Sequence, residues 1–274
     1  MPYFKTAEGT SLYYEALGFD SSKPILVFLN GTMQTTLYWK AVTAHFKPFF
    51  RILLYDARGQ GDSELGQNEL NLKGHVEDLK ALMLHLSISH ASLVGLSHGA
   101  YVALALANDS PHRIDRLVMC SVSARSTYRA KLIVHSWQQT LQSCGLEAMV
   151  WVTLPHVFGE RYLKENEKIM DHIARSVVRR NRHDALMAHF TAMQRYAPLS
   201  RILKPLPFPV LVLSGSEDLL VPAAGARMIA DACGGRHVEL PGVGHSFPAE
   251  DPHAFLKIVL AFLKGEWHES PEGF

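Results

Sequence analysis

The sequence predicts an α/β protein, a mostly parallel, doubly wound sheet interrupted by an inserted helical segment. Three observations predict it. Short apolar runs rich in β-branched residues alternate with helical patterns, as expected of strands covered on both faces by crossover helices. Hydrophobic residues make up 47% and charged residues 19% of the 274 residues, enough to bury a large core. Between Cys120 and Val210 lies a stretch far longer than an ordinary crossover and without a strand-like run.

In chain order, the strand-like runs are Ile25–Leu29, Ile52–Tyr55, Ser92–Leu96, Leu117–Cys120, Val210–Leu213 and His237–Leu240. Ser11–Leu17 alternates less cleanly and reads as an edge strand. The helices between them are expected at Leu37–Phe46, Leu72–Leu86, His98–Ala107, Pro222–Ala232 and Pro252–Leu263, the last two opening on a first-turn proline. From about Ser126 to Leu199 the pattern is helical, which divides the chain into a core, residues 1–124 and 200–274, and a helical cap, residues 125–199. The tail Glu266–Phe274, with Pro271 and Gly273, is expected to fray.

Apolar side chains are spread through the cap: Trp137, Met149, Trp151, Phe158, Met170, Met187, Phe190, Met193 and Tyr196. Most are expected to form the cap's own interior, with a roof over a substrate as the alternative for some of them. The run Arg179, Arg180, Arg182 and His183 reads as a solvated helix end; docking of an acidic carrier protein or a phosphate is the other reading.

Lys and Arg total 27 against 26 Asp and Glu, a formal charge of +1, so no global field draws nucleic acid or an anionic membrane. A small molecule is the expected partner. Cys120, Cys144 and Cys233 lack metal-ligand or redox spacing and read as buried free thiols in a reducing compartment. The amino terminus lacks the pattern of a signal peptide, and no apolar run approaches the roughly 20 residues that span a bilayer. A cytoplasmic protein without a membrane span is expected.

The chemistry is concentrated at the ends of the strand-like runs. Gly95-Leu96-Ser97-His98-Gly99 matches G-x-S-x-G and stands between a strand and a helix, the context that gives the motif its meaning. Such a turn holds the serine in a strained conformation with its hydroxyl raised, and glycine on either side removes the collision a Cβ would cause. A helix amino terminus beside the nucleophile favours developing negative charge. Because a serine hydroxyl is a weak nucleophile, it needs a base and an acid to orient that base. Among 15 histidines, only His245 stands directly after the last strand-like run and before the final helix, in the glycine-rich stretch Pro241–Phe247. Asp218, just past the preceding strand, is the expected acid, with Glu217 as its competitor. The stretch Asp56–Ser63 lacks the Gly-Lys-Ser/Thr ending of a phosphate loop and reads as a structural turn. No His-Glu-x-x-His, paired cysteines or dinucleotide fingerprint occurs, so neither a cofactor nor a metal is expected.

These residues together resemble the α/β-hydrolase superfamily over essentially the whole chain, including the Asp-x-Arg-Gly-x-Gly-x-Ser turn at 56–63. Ser97, Asp218 and His245 stand in the order that resemblance implies for a catalytic triad. Capped esterases, enol-lactonases, cofactor-free haloperoxidases and carrier-protein ester hydrolases look similar. The resemblance implies cleavage of a carboxylic ester or lactone through an acyl-enzyme on Ser97, with the backbone N–H groups of Thr32 and His98 binding the oxyanion. Most such enzymes have His-Gly where this chain has Asn30-Gly31, and Gln60 also replaces a usual histidine. Asn30–Thr36 is similar to the loop of acyltransferases that join 3-hydroxyacyl chains, which makes acyl transfer the second reading. A non-catalytic ligand receptor on the same fold is the third.

Overall fold

The computed structural model describes residues 3–266. Its elements in chain order are β1 (Tyr3–Lys5), β2 (Ser11–Leu17), β3 (Ile25–Leu29), α1 (Thr36–Phe46), β4 (Arg51–Tyr55), α2 (Leu72–His85), β5 (Ala91–Leu96), α3 (His98–Asp109) and β6 (Ile114–Cys120). They continue with α4 (Tyr128–Val157), α5 (Glu160–Glu165), α6 (Met170–Arg180), α7 (His183–Arg195), β7 (Val210–Gly215), α8 (Ala223–Cys233), β8 (Arg236–Leu240), α9 (Phe247–Glu250) and α10 (Pro252–Lys264). The strands form one sheet in the order β1-β2-β4-β3-β5-β6-β7-β8. β1 and β2 are antiparallel to their neighbours and every later pairing is parallel.

The central strands are continuous apolar runs because both faces are covered. Leu26, Phe28, Ile52, Leu54, Val94 and Leu96 point to one face, against Trp39 and Phe46 of α1 and Phe255, Ile258 and Phe262 of α10. Their alternates Val27, Leu29, Leu53 and Leu93 point to the other, against Val76, Leu79 and Leu82 of α2 and Ala103 and Leu106 of α3. That second core continues without a break into Trp137, Leu141 and Met149 of α4 and Phe190 of α7. Phe28 and Leu54 are fully buried, and burying such a side chain contributes about 1.5–3 kcal/mol.

Two local expectations are corrected. Ser11–Leu17 is not an edge strand, since Tyr3–Lys5 pairs outside it, Phe4 opposite Leu12; three residues are too short for a periodicity to show. Pro222 is the N-cap of α8 rather than a first-turn residue, whereas Pro252 does stand at the start of α10, behind the Asp251 side chain that accepts from Ala254 N. The fraying expected for Glu266–Phe274 lies, from residue 267 on, outside the described residues.

Four helices, α4 to α7, lie between β6 and β7. α4 is broken at Gly145, whose φ of 86° is open to glycine and costly for other residues. Cys144 beside it is exposed, contrary to the expectation of three buried thiols, while Cys120 and Cys233 are buried; all three are free. Among the described residues, no helix is long and apolar enough to cross a membrane.

Candidate active site

The carboxyl ends of β3, β5, β7 and β8 converge on one cavity of about 1070 Å³. Ser97 stands at the turn from β5 into α3 with φ 50° and ψ −113°. Its backbone N–H donates to Cys120 O at 2.9 Å, tying the turn to β6. The flanking glycines are required by contact rather than by their own dihedrals. A Cβ on Gly95 would lie 2.6 Å from Gly99 O, and one on Gly99 would run into Leu29 O and Asn30 O. Of the four described non-glycine residues with positive φ, three line the cavity: Met33, Ser97 and Ser121. Backbone strain of this kind is held only where the surroundings enforce it.

His245 follows β8 in the loop that leads to α9. Its Nδ1 is 2.8 Å from Asp218 Oδ2, and the Asp218 side chain is fully buried. The other Asp218 oxygen accepts from Leu220 N at 2.8 Å and Val221 N at 2.9 Å, which holds the carboxylate in one orientation. Glu217, the competing acid, is turned away and accepts from Glu160 N at 2.7 Å. Ser97 and His245 share the cavity wall without a hydrogen bond between them, a spacing that commonly closes only with substrate bound.

The His245 loop is braced from below and above. Ser121 Oγ donates to His245 O at 2.8 Å. His245 N and Ser246 N both donate to Val157 O, at the carboxyl end of α4, at 3.0 and 3.1 Å. Glu250 of α9 accepts from Gly244 N, Ser246 N and Gly159 N, at 2.8, 2.9 and 2.8 Å. A single carboxylate therefore joins the histidine loop to the helical insertion. Sequence reading missed Glu250, which lies in a short helix and belongs to no motif.

Thr32 follows β3 and lines the cavity with His98. The loop that carries Thr32 is fixed by the residues standing in for the usual histidines. Asn30 accepts from Trp39 Nε1 at 2.9 Å and donates to Tyr55 O at 3.0 Å and Asp56 Oδ1 at 3.1 Å. Gln60 donates to Gly31 O at 3.0 Å. Asp56 in turn accepts from Thr36 N at 2.7 Å and Asp62 N at 3.1 Å, so the 56–63 turn is the structural turn its sequence indicates.

The helical insertion supplies the opposite wall. Trp137, Phe158, Phe190, Met193 and Tyr196 line the cavity, whereas Met149 and Met170 are buried without lining it and Trp151 is 41% exposed. The basic run is exposed at Arg179, Arg182 and His183, as a solvated helix end would be, but it also makes specific contacts. Arg182 donates to Gly61 O and Ser63 O, both at 2.9 Å, and His183 Nε2 is 3.2 Å from Leu141 O. Arg180 lines the cavity and has no carboxylate partner among the described residues; burial and its neighbour Arg179 press its pKa down. The adjacent Asn181 donates to Met33 O at 3.0 Å, which puts this junction over the Thr32 loop.

Among the described residues, one cluster could hold a metal. His75, His98 and His189 bring one donor atom each within 4.8 Å of one another, and all three are buried. Burial drives their pKa values down, to about 3 for His98 and about 4 for His189, so all three are neutral at pH 7.

A family model described as the alpha/beta hydrolase family matches residues 26–258. The chain belongs to the alpha/beta hydrolase family. It is therefore a hydrolase, and the sheet and its insertion match solved family members over nearly their whole length. The enol-lactonase from Burkholderia xenovorans LB400 is 29% identical with a TM-score of 0.88, over 96% of this chain and 100% of that one. MGS-M2, an alpha/beta hydrolase enzyme from a Medee basin deep-sea metagenome library, is 27% identical with a TM-score of 0.90, over 98% of both chains. A 3-oxoadipate enol-lactonase from Acinetobacter baylyi is 22% identical over 94% of this chain and 95% of its own.

Proposed function

We propose that this hydrolase cleaves a carboxylic ester or lactone through an acyl-enzyme on Ser97. The observation that carries the reading is the 2.8 Å contact between His245 Nδ1 and a fully buried Asp218, on the same cavity as a strained Ser97. Asp218 can only accept there, so it fixes the tautomer with the proton on Nδ1 and leaves Nε2 as the base. His245 takes the Ser97 proton as Oγ attacks the carbonyl, then returns it to the leaving alcohol. Water, deprotonated by the same His245, releases the acid. The N–H groups of Thr32 and His98 bind the oxyanion, an effect worth about 3–4 kcal/mol per donor in comparable sites.

Residues 125–199 act in this reading as a cap over a core made of 1–124 and 200–274. The three free thiols suit a reducing, cytoplasmic setting. The cap's apolar wall suits an apolar acyl chain. The charged groups lining the cavity, Arg125, Lys131 and Arg180 of the cap and Arg201 just beyond it, are all cationic and among the described residues no Asp or Glu joins them, which favours a substrate that also bears an anionic group. Relatives named enol-lactonases agree with an ester-type bond.

The test is Ser97→Ala together with a serine-directed fluorophosphonate. The wild type should label at Ser97, and the variant should lose about 10⁵–10⁶-fold in kcat on p-nitrophenyl esters. Wild-type rates in the variant would sink the proposal. A second reading, acyl transfer to another hydroxyacyl chain, draws support from a cavity just above the usual range of about 300–1,000 Å³. Product analysis with an acyl donor and a hydroxylated acceptor separates the two: free acid from hydrolysis, a joined ester from transfer.

A further inference from the structure

We propose that His75, His98 and His189 form a binding site for one divalent transition-metal ion of the zinc class, which ties the helical insertion to the core. The three side chains come from α2, α3 and α7, so no spacing motif in the sequence announces them. Ring centroids are 4.8 Å apart for His75 and His98, 5.6 Å for His75 and His189, and 5.4 Å for His98 and His189. Three imidazoles on one tetrahedral zinc, with Zn–N near 2.0–2.1 Å, have centroids about 5 Å apart. The rings are thus already at ligand separation. Their donor atoms, up to 4.8 Å apart, need a turn of the rings to reach the roughly 3.4 Å of a bound set.

The hydrogen bonds leave the nitrogens a metal needs. His189 Nε2 faces Arg58 O at 2.8 Å; a carbonyl can only accept, so Nε2 carries the proton and Nδ1 is a bare lone pair. That Nδ1 is buried and without a partner, as are both nitrogens of His75. His98 Nε2 is 3.2 Å from the Tyr196 hydroxyl, and its Nδ1 has no hydrogen bond among the described residues. A ligand histidine whose second nitrogen is fixed on a backbone carbonyl is the usual outer arrangement of a metal site. The nearby cation, Arg58, is covered by Asp78 and Glu8, its Nη2 donating to Asp78 Oδ1 at 2.8 Å and its Nη1 to Glu8 Oε2 at 2.8 Å. With three nitrogen ligands and no carboxylate, a bound ion would keep one further position for water.

The experiment uses the full chain dialysed against a chelator and then titrated with Co²⁺, a spectroscopic stand-in for zinc. The expected result is one equivalent bound per chain, visible ligand-field bands of a four- or five-coordinate site, and a raised Tm. Loading should be slow, since all three rings are buried. His75→Gln and His189→Gln should each weaken that equivalent at least 100-fold. His75→Gln is the safer variant, because its ring has no hydrogen bond to lose; circular dichroism checks that it folds. Absence of saturable binding in the wild type overturns the proposal, as does binding that both variants leave intact. Neither readout depends on turnover, so the outcome is independent of the role assigned to Ser97.

Discussion

The cavity has a floor made of backbone and a roof made of side chains. In the floor, Gly95 and Gly99 sit where a Cβ would meet main-chain atoms, and Ser97, Met33 and Ser121 hold positive φ. In the roof, Trp137, Phe190 and Met193 project from helices and Tyr196 from the residue that ends α7, and two parts of α4 are separated by a break at Gly145. Main-chain contacts leave almost no substitution neutral, whereas packed apolar side chains tolerate exchange at similar volume. On the proposed reading, the chemistry is therefore fixed in the floor and the choice of substrate is open to variation in the roof.

Substitutions that break the floor have the largest expected effects. Asp218→Asn keeps the shape but turns the His245 tautomer, and kcat should fall about 10⁴-fold with KM little changed. Glu217→Gln is the control. Glu217 accepts only from Glu160 N at its side chain's far end, so kcat should stay within about threefold. Equal losses in the two variants would mean that the acid has been misassigned.

Next comes Gly99→Ala. The added methyl group meets Leu29 O and Asn30 O, backbone that cannot turn aside. A loss of about 3 kcal/mol or more is expected in urea unfolding, at the upper end for overpacking. Phe190→Leu in the roof, at a similar burial, should cost under about 2 kcal/mol and move the preferred acyl length instead. A roof variant as damaging as the floor variant would remove the distinction.

The same division explains how much could be read from the sequence. Ser97, His245 and Asp218 follow strands in a fixed order, and glycines mark the turns that need them, so the floor is written in local pattern. The parallel strands were equally legible, because burial on both faces makes each one a continuous apolar run. β1 was not, being three residues with an exposed-intermediate-exposed pattern. The roles of Arg182, Glu250 and the His75–His98–His189 cluster depend on which helices meet in space. Arg182 looks like any solvated arginine until it is seen to donate to Gly61 O and Ser63 O.

Glu250 joins floor to roof, and Glu250→Gln tests that joint. The amide can keep only part of the acceptor set now shared by Gly244 N, Ser246 N and Gly159 N. With His245 less well placed, kcat should fall about 10–100-fold while KM moves little. Burial raises the Glu250 pKa even against those three donors. A carboxyl raised in the folded state takes up its proton at higher pH than in the unfolded chain. Between the two pKa values acidification therefore favours the folded form through this group, even as the bracing of His245 weakens. Activity should decline on the acid side before Tm does, and the glutamine variant should narrow that separation.

The smallest expected effect lies wholly in the roof. Arg180 lines the cavity, has no carboxylate partner among the described residues, and donates to Ser176 Oγ at 2.6 Å. An anionic substrate group paired with this guanidinium would gain a charge-assisted bond, of the kind worth about 1.5–3 kcal/mol. Arg180→Gln should therefore raise KM about tenfold or more for the p-nitrophenyl half-ester of a dicarboxylic acid and leave the matching neutral ester within about twofold. The kcat should hold for both, because the floor is untouched. A uniform loss on both esters would mean that Arg180 shapes the roof rather than reading charge, and the cationic lining would then lose its meaning for substrate choice.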